Sequence, residues 1–210
     1  MNKPIFTLAA CALLFVQEAR AVPIIPGGVQ FPAVAEPDPI GATLVFSTGP
    51  LAFSSATLAG TLQSSAWIND ASNPFGLLAL TFTYELSASA ASLHDIARLS
   101  VSSYDAFLTD ASFNPAGGVP PTLITRSADG EVMGFNFVAP ALSAGQSASM
   151  LVVQTNAISF QSTTASLIDG TTATVLSIAP EAVVPEPSAV FLASVGMCAL
   201  LAGWRKAALR

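Results

Sequence analysis

The chain predicts an all-β fold, an antiparallel β-sandwich with a closed β-barrel as the alternative. An N-terminal signal peptide and a C-terminal transmembrane helix are expected to flank it. Three observations carry this reading. Short apolar–polar alternations recur from residue 40 to residue 180, separated by Gly, Pro, Asn and Asp. Asp-Gly steps at 129–130 and 169–170 sit between such runs, where tight hairpin turns want them. Serine and threonine fill the alternate positions, and no stretch between 22 and 187 keeps a helical period.

Met1 to Ala21 has the three parts of a secretory signal: Lys3, an apolar core from Ile5 to Val16, and the small-x-small site Ala19-Arg20-Ala21. Cleavage after Ala21 is expected. Residues 22–39 carry prolines at 23, 26, 32, 37 and 39 with Gly27-Gly28, and read as a linker or an irregular edge segment.

From 40 to 180 the expected strands follow in order. Ala42–Ser47, Leu51–Leu58 and Thr61–Ile68 come first. Leu78–Ser87 is the clearest, with Leu78, Leu80, Phe82, Tyr84 and Leu86 on one face and Thr81, Thr83 and Glu85 on the other. Ile96–Ser103 groups Ala97, Leu99 and Val101, and Phe107–Phe113 follows. Leu123–Arg126 and Glu131–Val138 form a hairpin about Ser127-Ala128-Asp129-Gly130, its second arm turning Met133, Phe135 and Phe137 one way. Ala148–Gln154, Ala157–Gln161 and Ala165–Ile168 precede a second hairpin through Asp169-Gly170 into Thr172–Ile178. No repeat of fixed length relates the runs, which disfavours solenoids and propellers.

Residues 181–187 form a short linker containing Pro185-Glu186-Pro187. Two prolines fix φ and remove two amide donors, so the segment stays extended between strand and helix. Residues 188–204 carry no charge and would span roughly 25 Å as a helix, the short end of a membrane crossing. Trp204 falls at headgroup level, and the basic end 205–210, with Arg205 and Lys206 leading, is placed on the cytoplasmic side.

Motif, apolar run and basic end, in this order and at the C-terminus, resemble the PEP-CTERM sorting signal of exopolysaccharide-secreting Gram-negative bacteria. The chain departs from that pattern in having Arg-Lys followed by Ala207-Ala208-Leu209-Arg210, where an arginine cluster is more usual. The resemblance implies recognition at Pro185, Glu186 and Pro187 by an exosortase-type membrane protease. It also implies prior passage through the Sec translocon and signal peptidase, with transient anchoring in the inner membrane. The middle is similar to a domain often found ahead of such tails, through Ser72-Asn73-Pro74-Phe75-Gly76 and Gly134-Phe135-Asn136-Phe137. That second likeness implies a β-rich domain and no catalytic residue.

Charge and cysteine usage narrow the remaining classes. Cys11 lies in the signal and Cys198 in the tail, so the exported domain has no disulfide and no thiol chemistry. Between Val22 and Pro187 two bases, Arg98 and Arg126, face twelve acids, a net charge of −10 that repels nucleic acid. His94 is the single histidine, and Asp95 beside it would point to the opposite face of an extended chain. No Gly-x-Ser-x-Gly elbow accompanies it. Asp105 with Asp110, and Asp129 with Glu131, are the acid pairs to weigh for glycoside cleavage or a calcium site, though turn chemistry accounts for Asp129 and Asp169. Trp67, with Asn69, Asp70 and Asn73, is the one candidate sugar-stacking platform. The expectation is therefore a non-catalytic exported protein of the cell surface or matrix, associated with exopolysaccharide or biofilm. It would use no cofactor and no metal. The alternative is a carbohydrate-binding module bearing the same tail.

Overall fold

A computed structural model describes residues 23–182. The expected signal peptide with Ala19 and Ala21 lies outside the described residues. So do the Pro185-Glu186-Pro187 motif, the apolar run 188–204 and Arg205-Lys206. Among the described residues no helix is long and apolar enough to cross a membrane.

Among the described residues twelve strands form two antiparallel sheets. They are β1 (Val29–Gln30), β2 (Thr43–Ser47), β3 (Leu51–Ser54), β4 (Ala59–Ile68), β5 (Thr81–Ala88) and β6 (Arg98–Val101), then β7 (Thr109–Asn114), β8 (Leu123–Arg126), β9 (Met133–Asn136), β10 (Met150–Thr155), β11 (Phe160–Ile168) and β12 (Thr172–Pro180). The first sheet runs β1-β8-β9-β6-β11-β12. The second runs β2-β4-β5-β10-β7, with β3 also on β4. No ladder joins the two among the described strands, so the architecture is sandwich-like rather than a closed barrel.

Period-two alternation decides which side chains meet between the sheets. From the second sheet Leu62, Phe82, Tyr84, Leu86, Leu151 and Val153 point inward, each at most 1% exposed. Leu99, Val101, Met133, Phe135, Ala165 and Leu167 oppose them from the first. Burying each large apolar side chain stabilises the fold by about 1.5–3 kcal/mol. Two hydroxyl contacts also cross the interior. Ser64 on β4 and Ser177 on β12 are 2.8 Å apart. Tyr84 donates to the Ile178 carbonyl at 2.9 Å, and its oxygen is in turn hydrogen-bonded with the Tyr104 hydroxyl. Burial pushes both phenols above their ordinary pKa, keeping them neutral donors.

Both Asp-Gly hairpins form. Asp129 accepts from the Ser127 hydroxyl and the Glu131 amide, and Gly130 takes the positive φ the turn requires. Asp169 accepts from the Thr171 amide at 2.7 Å in the β11–β12 turn. Two expectations are corrected. Leu78 is 72% exposed, because β5 begins only at Thr81 after a turn in which the Ala79 amide bonds to Gly76. The two runs from 157 to 168 are one strand, since β12 pairs with β11 without interruption from Phe160 to Ile168. Of the two readings of residues 22–39, the described part follows the irregular edge segment: β1 pairs with β8, and Ala35 bridges Phe113 on β7.

Arg126, 5% exposed, fastens this N-terminal stretch to the hairpin. Its guanidinium donates to the carbonyls of Ile24, Tyr104, Phe107 and Gly130, at 2.6–3.0 Å. Burial lowers its pKa, with the nearby Asp105 charge opposing.

The core hydroxyl chain predicts unequal effects of removing its two ends. Tyr84→Phe strands both the Tyr104 hydroxyl and the Ile178 carbonyl, and should lower unfolding free energy by roughly 2 kcal/mol. Tyr104→Phe leaves the Tyr84–Ile178 bond intact and should have about half that effect. Equilibrium denaturant unfolding of both variants measures the difference.

Candidate functional site on the outer face of the second sheet

The side of the second sheet that faces away from the core presents Ser65 and Trp67 on β4 and Thr81 and Thr83 on β5. It continues with Val152 and Gln154 on β10 and Asp110 and Ser112 on β7. In an open sandwich such residues meet solvent. Here Ser65, Thr81, Thr83, Val152, Gln154, Asp110 and Ser112 are each at most 2% exposed. Two irregular segments contribute to the cover. A strap, residues 33–41, passes from the β7 edge toward β2, and the loop 69–77 folds over the β4–β5 end.

Asp70 joins them. Its carboxylate accepts from the Ile40 amide at 2.9 Å, the Ser72 amide at 3.1 Å and the Ser72 hydroxyl. It also accepts from the Thr81 hydroxyl at 2.7 Å and the Gln154 amide group at 3.2 Å. Burial pushes its pKa up, but these donors outweigh burial and hold the carboxyl below the usual range. Asn73 closes the same loop, its side-chain amide donating to Thr81, Leu80 and Thr155 while its oxygen accepts from Phe75.

At the β7 end the strap brings two further acids against a third. The Glu36 amide donates to the Phe113 carbonyl at 3.0 Å, and the Phe113 amide to Val34. Asp38, 2% exposed, accepts from the Ser112 hydroxyl at 3.4 Å, and its backbone carbonyl accepts from Asn114. Asp110 lies two residues before Ser112 on the same face. Burial and the Asp38 and Asp110 charges push Glu36 up to about 7. Burial, with the Asp38 charge, pushes Asp110 up to about 6 against the Ala111 amide.

Trp67 is half-buried beside Leu44 of β2, and its indole N–H donates to Thr83 at 2.9 Å. Of the residues grouped with it in sequence, Asn69 is exposed, whereas Asp70 and Asn73 turn inward to brace the loop. Trp67, partly buried, and Asn69, exposed, are the members of that group that reach solvent at this corner.

The remaining candidates are dispersed. His94 pairs through Nδ1 with Asp169 at 2.9 Å, not with Asp95, and Thr57 also donates to that acid. Among the described residues no serine or threonine hydroxyl bonds to the His94 ring. Asp105 stands near Arg126 while Asp110 lies on the outer face, and Glu131 accepts from the Ser103 amide. A cavity of about 290 Å³ lies between Pro23–Pro26, Asp105–Thr109 and Arg126, whose guanidinium is committed to four carbonyls. Among the described residues no three His, Cys, Asp or Glu side chains are placed to hold a metal ion. No protein-family model, curated protein or solved structure matches the chain.

Gln154, Glu36 and Asp38 were not singled out from sequence. The one available signal was a proline-rich segment carrying two acids with no base nearby.

Because Asp70 titrates below the usual carboxylate range in the folded chain, it contributes stability above its unfolded pKa. That contribution is lost as pH falls through the folded pKa. Asp70→Asn should cost about 2 kcal/mol at neutral pH and flatten the acid side of the stability profile, as measured by denaturant unfolding across pH.

Proposed function

We propose that the chain is an exported, exosortase-processed protein of the cell surface or extracellular matrix, non-catalytic and associated with exopolysaccharide or biofilm. One observation carries the reading: Pro185-Glu186-Pro187, an uncharged apolar run and Arg205-Lys206 stand in that order at the C-terminus, on a chain that opens with a secretory signal. Each part is useful only if the others work. The signal delivers the chain to the Sec translocon, the apolar run holds it in the inner membrane, and the extended motif presents a cleavable segment outside. The domain supports the reading by its chemistry. An acidic surface free of cysteine suits an oxidising exterior, and its titratable residues serve turns, straps and sheet contacts.

A specific observation favours one second reading, a carbohydrate-binding module. Trp67 is only partly buried next to Leu44 and the exposed Asn69, the pairing of aromatic ring and amide that stacks on sugars.

Replacing Pro185-Glu186-Pro187 by three alanines should abolish removal of the tail in a host with the matching peptidase. Intact-mass spectrometry of the released protein checks it, and a variant still cut at the wild-type position would defeat the proposal. For the second reading, a glycan array should give a saturable signal that Trp67→Ala weakens at least about tenfold; absence of any signal would remove it.

A further inference from the structure

The strap and β7 meet through carboxyl groups with nothing cationic between them. Glu36 and Asp38 come from the strap and Asp110 from β7. Each element packed on this corner adds no counter-charge. β10 contributes uncharged Val152 and Gln154, the rest of the β7 face contributes Ser112 and Asn114, and the 69–77 loop contributes only another acid, Asp70. The described bases are committed elsewhere: Arg98 bonds to Ser100 against Gly134, Arg126 holds four carbonyls, and His94 pairs with Asp169.

Asp70 and this trio share a face but differ in donors. Asp70 has five, so it keeps its charge and its hold on Ile40. Asp38 has one long hydroxyl contact on its carboxylate besides the hydrogen bond it shares with the Glu36 carboxyl, and no side-chain donor reaches Asp110 among the described hydrogen bonds. Ionising Glu36 and Asp110 would place like charges together in a poorly hydrated corner, and the least costly relief is separation of the strap from β7.

We propose that the strap is an acid-held latch. Residues 33–38 stay on β7 while Glu36 and Asp110 retain protons beside the buried Asp38, and lift away as those protons are lost, pivoting at Ile40. Lifting uncovers Asp110, Ser112 and the free edge of β7 at Phe113. The raised pKa values of Glu36 and Asp110 set the sign: the closed form binds protons more tightly than the open form, so it weakens as pH rises toward and past neutrality. A strap docked under acidic conditions and released at neutral pH would make exposure of a sheet edge a response to local acidity.

Hydrogen–deuterium exchange of the full-length chain in detergent, at about pH 5 and about pH 8, tests this once intrinsic exchange rates are divided out. The amides of Glu36 and Phe113 should lose protection by about tenfold or more at the higher pH. Those of Ala71 and of the β11–β12 ladder should not change. Glu36→Gln combined with Asp110→Asn should keep the strap protected at both values. Equal protection of Glu36 and Phe113 at the two pH values in the wild type would overturn the proposal, whether or not the variant folds. So would a pH-dependent loss that survives in the variant.

Discussion

Asp70 is the knot of this structure. One carboxylate collects donors from the strap at Ile40, from its own loop at Ser72, from β5 at Thr81 and from β10 at Gln154. Without an ionised acceptor there, the Ile40 and Ser72 amides and the Ser72 and Thr81 hydroxyls would lose the acceptor they share, and leaving a covered polar group unpaired is costly. The strap and the loop can therefore close over the second sheet only because this acid keeps its charge. The hydroxyl-rich outer surface that the alternation assigns to solvent becomes a second, polar interior.

The opposite edge of the same face obeys the same electrostatics with the opposite outcome. A carboxylate surrounded by donors prefers its charge; a carboxyl in a covered corner with like neighbours prefers its proton. Asp70 and Asp110 stand on one surface, joined through Gln154, which is the cross-strand partner of Asp110 and a donor to Asp70. Their pKa values are displaced in opposite directions because their donor counts differ. The two arginines cannot level the difference. Arg126 is a structural cross-link among backbone carbonyls, and Arg98 lies on the first sheet.

The proposed role divides the chain between an address and a cargo. In that proposal the address is linear chemistry: prolines, an apolar run and terminal bases would act through the membrane and a protease, and need no fold. The cargo is a sandwich-like domain whose acids and hydroxyls are largely engaged in holding it together. What it offers outward is an acidic surface, the Trp67 corner and the strap-covered edge of β7.

Most of the strands were legible in the sequence because period-two alternation is a local property, as in Phe82, Tyr84 and Leu86. The Asp-Gly turns were legible because only certain residues tolerate their backbone angles. The expected sorting tail and signal peptide rest on composition and order alone. Tertiary structure decided what depends on distant partners. It placed β6 between β9 and β11, drew His94 to Asp169 rather than Asp95, and laid a proline-rich stretch across a sheet. It also gave Asp70 a donor 84 residues away. The physical reason is that a buried polar group must find its partner wherever the packed chain supplies one, and no local pattern of residues records that choice.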